Sequence, residues 1–258
     1  MSFRAKFHRA ASQIEALEAQ MDAWNNSGAY TLAEHLEPQT GETIATLLLR
    51  EEPPWEAWAL LLGECLFNLR ASLDNIAFEL AVKHHGAPLP AAAAKGSAFP
   101  IFGPQAPAAT QIQERIGCAD PGAQTIIQAL QPHLRGSPGF ESDPLYVLNE
   151  LCNLDKHRAL HLVLPIVKKV EVEREVGGTV SDITIAPGPM RHGAEVYRYR
   201  RTPNPPNTQM QVELKVTGYI SFDEALPVVP GAAVIATLKA IDYRIVNDVF
   251  GPLARFLR

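Results

Sequence analysis

The sequence predicts an α+β fold in which a helical bundle packs on a mostly antiparallel β-sheet. Three observations predict it. Apolar residues recur with a helical period over two long N-terminal stretches, the period changes to two between about residues 163 and 222, and helical spacing returns from about 231 to 257. Strands grouped between groups of helices, without strict alternation, mark α+β architecture and not the doubly wound kind. With 258 residues, 47% of them hydrophobic and 20% charged, the chain reads as a single domain over 1–258 that buries a substantial core.

The first element is a helix, because Phe3, Phe7, Ala10, Ile14, Leu17, Met21 and Trp24 are spaced by fours and threes. That seam packs against another helix of the same chain, or of a second subunit in a homodimer. Asn25 to Gly28 end it. Segments 30–36 and 43–50 flank Pro38-Gln39-Thr40-Gly41 and predict a hairpin. Pro53 and Pro54 then open a long helix to about Lys83, with Leu62, Leu66, Leu69, Leu73, Ile76 and Leu80 as its buried stripe. The helical core so defined runs over about 54–160.

Residues 86–107 are rich in Ala, Pro and Gly and read as an irregular connection pinned by Phe99, Ile101 and Phe102. Short helices follow at about 108–116 and 121–130. Asp143, with Pro144 in the first helical position, caps a helix that runs to about Arg158. Segments 163–176, 179–186, 195–201 and 209–222 are β-branched strands, read as an antiparallel meander whose apolar face helices must cover. Beyond Pro230-Gly231 a last helix carries Val234, Leu238, Ile241, Ile245 and Val249, and Gly251-Pro252 interrupts it.

A formal charge of −5 supplies no global attraction for phosphate backbones or anionic lipid, so nucleic acid is not an expected partner. No apolar run approaches the roughly 20 residues that span a bilayer, and the N-terminus lacks a secretory signal, so a cytoplasmic location is expected. The cysteines, Cys65, Cys118 and Cys152, show no CxxC spacing and read as small buried hydrophobes.

The residues that invite chemistry lie on two helices. Leu148, Leu151, Cys152 and Asp155 share one helical face, which sets a carboxylate in an apolar stripe. Burying it without a partner would cost on the order of several kcal/mol, so a cation should meet it. Arg158 follows one turn on, and Arg70 and Asp74 stand at i,i+4 on the long helix, so the expectation is one network of Arg70, Asp74, Asp155 and Arg158. Such a network either locks helix register or rims a pocket for a small molecule. His157 points away from Asp155 on a regular helix, so the two do not form a dyad.

His157 and His161, with Glu150, resemble half a metal site, but without an HExxH they read instead as a solvated face, and no metal or other cofactor is expected. His84 and His85 suit the C-terminus of their helix. The run Tyr197-Arg198-Tyr199-Arg200-Arg201 alternates aromatic and cationic faces, the composition of a single-strand nucleic-acid platform or of a charge-protected sheet edge.

Four fragments together, Asn68-Leu69-Arg70-Ala71-Ser72-Leu73-Asp74-Asn75, Phe99-Pro100-Ile101-Phe102, Leu130-Gln131-Pro132, and Leu148-Asn149-Glu150-Leu151 with Asp155-Lys156-His157-Arg158, resemble a widespread bacterial family that has no established activity. The LRxxLD and DKHR boxes on paired helices also distantly resemble HEPN-type proteins, many of them metal-independent ribonucleases. That resemblance implies a ribonuclease or phosphodiesterase in which His157 is the acid/base and Arg158 or Lys156 stabilises the transition state. HEPN enzymes place a histidine four to six residues after an arginine, and neither Arg70 nor Arg158 has one there. The leading expectation is therefore a ligand-binding or structural protein, with the HEPN-like enzyme as the alternative.

Overall fold

A computed structural model of the chain describes all residues except Met1, Ser137, Pro138, Arg158, Ala159 and Asn207, and all side chains among them except those of His157 and Pro165. Helix α1 (Phe3–Asn26) starts at Ser2, whose hydroxyl accepts from the Ala5 amide at 3.3 Å. Its seam of Phe3, Ala10, Ile14, Leu17, Met21 and Trp24 is buried against α2 (Trp55–His85) and the C-terminal helix of the same chain. The heptad seam thus packs within the chain.

Between the two helices, β1 (Tyr30–Glu37) and β2 (Glu42–Leu49) form the expected hairpin, pairing Tyr30 with Leu49 through Glu37 with Glu42. The connection after α2 is less irregular than its composition suggests. Ala91–Gly96 forms a short helix, α3, since consecutive alanines have the best helix propensity and Pro90 sits at the N-cap. Helices α4 (Ala109–Ile116) and α5 (Pro121–Ala129) follow, and a 3₁₀ turn covers Pro132–Arg135.

Helix α6 (Pro144–His157) packs on α2, and α7 (Val234–Arg244) lies against both α1 and α6. The start of α6 holds the buried charge of this bundle. Asp143 is buried, and its Oδ1 accepts from the Leu145 amide at 2.8 Å as an N-cap. Its Oδ2 meets the guanidinium groups of Arg135 and Arg244. Past α7 the helix widens into a π-turn over Ile245–Phe250, where the Gly251 N–H reaches back to the Val246 carbonyl. The wide turn falls just before Pro252, whose ring obstructs an ordinary α-turn.

The strands depart from the expected meander. β3 (Leu162–Val176) and β6 (Gln211–Phe222) form a two-stranded antiparallel ribbon, while β4 (Gly178–Ile185) and β5 (Glu195–Pro203) join the N-terminal hairpin in a four-stranded antiparallel sheet of order β1-β2-β5-β4. The ribbon, and not a helix, covers the sheet: Ala45, Leu47, Val196, Tyr197 and Tyr199 pack against Val167, Val170, Leu214 and Val216. The switch between sheets occurs at Gly177-Gly178. A Cβ on Gly178 would stand 2.3 Å from the Thr202 carbonyl oxygen, so only glycine lets the chain turn there. Tyr30 and Leu164 touch both this second core and the helical one, joining them.

The Asp143 cluster predicts a graded response. Asp143→Ala removes the buried N-cap and one of the two carboxylates that hold Arg244, 13% exposed, the other being Asp248, and should cost about 2 kcal/mol in urea unfolding. Arg135→Ala, at a side chain 49% exposed, should cost about 1 kcal/mol or less. Equal losses would show that the Arg135 pairing, and not the cap or the Arg244 contact, carries the effect.

Candidate functional site

The structure divides the expected network in two. Arg70 and Asp74 do pair, with Nη2 3.0 Å from Oδ1, but their shared target is a loop. Arg70 Nη2 donates to the Phe99 carbonyl at 2.8 Å, and the Phe99 amide donates to Asp74 Oδ1 at 3.0 Å. One turn of α2 thus holds both backbone groups of a residue whose ring is fully buried in the core. Gln131 continues the strap, its Nε2 donating to the Pro100 carbonyl at 2.9 Å and its Oε1 accepting from the Phe102 amide at 3.1 Å. The LRxxLD, FPIF and LQP fragments are therefore parts of one hydrogen-bonded connection.

Asp155 does not join Arg70. Helices α2 and α6 cross antiparallel: Cys152 Sγ lies 3.5 Å from the Leu66 carbonyl, and one turn further along α6 the Asp155 carboxyl faces Gly63, one turn back along α2. Arg70 stands two turns beyond Gly63, about 10 Å along the axis, opposite the earlier part of α6. Helical periodicity placed Asp155 on the correct face, but it carries no information on direction of crossing. Arg158, the other expected partner, lies outside the described residues.

Gly63 is what admits the carboxyl. A Cβ at that position would fall 2.7 Å from Asp155 Oδ2 and 2.8 Å from Oδ1, so even alanine would displace it. Half-buried there, Asp155 has its pKa raised by the loss of water around the charged form. It forms one wall of a cleft of about 980 Å³ between α1, the first half of α2, the end of α6 and the start of β3. Trp55, Leu60, Phe67, Leu160 and Leu162 supply its apolar surface. Leu60 and Phe67, 65% and 61% exposed, are the most exposed large apolar side chains of α2.

Polar groups on the α1 side are ordered in sequence. Lys6 Nζ donates to Asn68 Oδ1 at 3.1 Å, Asn68 Nδ2 to Gln13 Oε1 at 2.9 Å, and Gln13 Nε2 to Glu64 Oε2 at 2.8 Å. Gln13 and Asn68 are both buried, so this relay fixes the Glu64 carboxylate at the cleft. None of these residues stood out in the sequence. The one available signal was Gln13 on the buried face of α1 and Asn68 on that of α2, polar side chains inside apolar stripes.

The other candidates separate by place. Lys156 is exposed on α6, and the His157 side chain and Arg158 lie outside the described residues, as does any dyad or metal pair built on them. His161 is exposed at the cleft. Among the described residues no three His, Cys, Asp or Glu side chains cluster as metal ligands, and no helix is long and apolar enough to cross a membrane. His84 lies 3.6 Å from Asp120 at the end of α2. Burial pushes the Cys65 and Cys152 thiols up to about 12, which keeps both protonated and poor nucleophiles.

Strand β5 is interior and not an edge, which corrects the charge-protected-edge reading. Its faces divide as expected, yet the tyrosines turn into the second core, Tyr199 with no exposed surface. Its arginines are engaged by carboxylates, Arg198 by Glu42 and Glu195, Arg200 by Glu42 and Asp182, and Arg201 by Glu34. The strand presents no aromatic surface on which bases could stack.

Two outcomes test this geometry. Gly63→Ala should leave the helical circular dichroism intact while expelling the Asp155 carboxyl, so its titration, followed by carboxyl carbon NMR, moves down toward the ordinary carboxylate range. An unmoved midpoint would mean that Gly63 does not hold the carboxyl in place. Because the folded state raises the pKa of Asp155, it binds a proton more readily than the unfolded chain, and stability falls as pH rises from the ordinary carboxylate pKa through the raised one. Asp155→Asn should therefore melt roughly 1–2 °C higher at pH 7, solvent screening keeping the effect small, and the gain should vanish in acid below that window. No protein-family model, curated protein or solved structure matches the chain, so its functional reading rests on the cleft itself.

Proposed function

We propose that the chain is a ligand-binding protein whose site is the cleft between α1, α2 and the α6–β3 junction, with Asp155 as its central polar contact. One observation carries the reading: a mid-helix glycine makes room for a half-buried carboxyl in the wall of a cavity of about 980 Å³, large enough for a small organic molecule. Glycine in a helix interior costs roughly 1 kcal/mol relative to alanine, and placing a carboxylate in that recess adds desolvation. Two destabilising choices at one point, beside exposed Leu60 and Phe67, are what a binding site retains and a purely structural contact would lose. Arg70 and Asp74, by contrast, bind the chain's own backbone at Phe99.

Thermal-shift screening against a chemically diverse library tests the reading. Ligands of this cleft raise the melting temperature of the native protein by mass action, about 2.7 kcal/mol of stabilisation at a hundred times Kd. They should lose that effect in Ala59→Trp, whose indole fills the cavity. Hits that stabilise both proteins equally, or no hit at all, would refute it.

A further inference from the structure

We infer that the ligand of this cleft is an organic cation, an amine or quaternary ammonium group on an apolar body. The inference rests on the cleft reading above and narrows it to a chemical class. Three carboxylates, Glu56, Glu64 and Asp155, border the cavity, against the guanidinium of Arg9, the imidazole of His161 and, beside the lining residues Phe67 and Asn68, the ammonium of Lys6. Glu64 is held there by a neutral amide, Gln13, so its charge is oriented without being cancelled, and among the described residues Asp155 forms no ion pair. A ligand that fills the cavity must cover Asp155, which is already half withdrawn from water. A positive group would compensate the carboxylate as it is covered, which a neutral or anionic body cannot do.

The apolar walls favour the same class. Trp55 and Phe67 present aromatic surface to the cavity, and ring faces attract cations. Phe67 already takes one, with Lys6 Nζ 5.0 Å from the ring centroid. Lys6 also holds Asn68, so the ring and the relay to Glu64 are anchored by one ammonium group beside the cleft. The arrangement leaves a ligand to bring its own charge between Phe67, Glu64 and Asp155.

Three probes of one shape test the inference: 4-phenylbutylamine, 4-phenylbutanol and 4-phenylbutyrate, titrated by calorimetry at pH 7.5 into the native protein, Asp155→Asn, Glu64→Gln and Ala59→Trp. The ammonium probe should bind the native protein about tenfold or more tightly than the alcohol, with the carboxylate weakest. Asp155→Asn or Glu64→Gln should each reduce that preference, and Ala59→Trp should abolish binding of every probe. If the alcohol or the carboxylate binds as tightly as the amine, and Ala59→Trp blocks it, the cation inference falls while the cleft reading stands. If no probe binds, or if binding ignores Ala59→Trp, both fall together. Asp155→Asn that folds normally yet keeps the full ammonium preference, with Glu64→Gln doing the same, also overturns the cation assignment.

Discussion

The antiparallel crossing of α6 over α2 is the contact on which the remaining features depend. It pairs Cys152 with Leu66 and Asp155 with Gly63, and so assigns different work to successive turns of one helix. Toward the start of α2 the crossing opens a cleft bordered by carboxylates, and toward its end Arg70 and Asp74 are free to face the loop at Phe99. Had α6 run the other way, Asp155 would have come up toward Arg70, the recess at Gly63 would have met an apolar side chain, and the cleft would have had no carboxyl in its wall. Helix direction, more than composition, therefore decides which polar residue is structural and which faces a cavity.

Much of the architecture was legible because its causes are local. The heptad spacing from Phe3 to Trp24, the Asp143 cap before Pro144 and the alternation of β-branched residues after 160 each state a period or a terminus directly. What escaped was everything that depends on which elements meet. β-branched strands do not declare their partners, so the division into a ribbon and a four-stranded sheet, and the interior position of β5, could not be read from segments 163–222 alone. The site was legible only in part for the same reason. Asp155 announced itself as a carboxylate on an apolar face, while Gly63, Gln13 and Glu64 acquire meaning only from residues about fifty to ninety positions away.

The rule that a carboxylate inside a helix contact requires guanidinium partners holds, but at the opposite end of α6. Asp143 is the buried acid, and Arg135 and Arg244 meet it from flanking segments. Asp155, only half-buried, obeys a weaker demand: solvent in the cleft supports its charge in part. Two aspartates at the ends of one helix thus differ in what surrounds them and not in what they are, one fastening α6 to the 3₁₀ turn at Pro132–Arg135 and to α7, the other left facing a cavity.

The four-stranded sheet carries a consequence for biogenesis. β2 lies near the N-terminus and its inner neighbour β5 near the C-terminus, Glu42 pairing with Arg200. On a ribosome adding about 5–20 residues per second, the N-terminal hairpin would emerge roughly 10–30 s before the strand that completes it. During that interval Ala45 and Leu47 have no ribbon over them and β2 shows an open backbone edge. A nascent chain of this design is exposed to holdase chaperones early and reaches protection only when its last third has been translated.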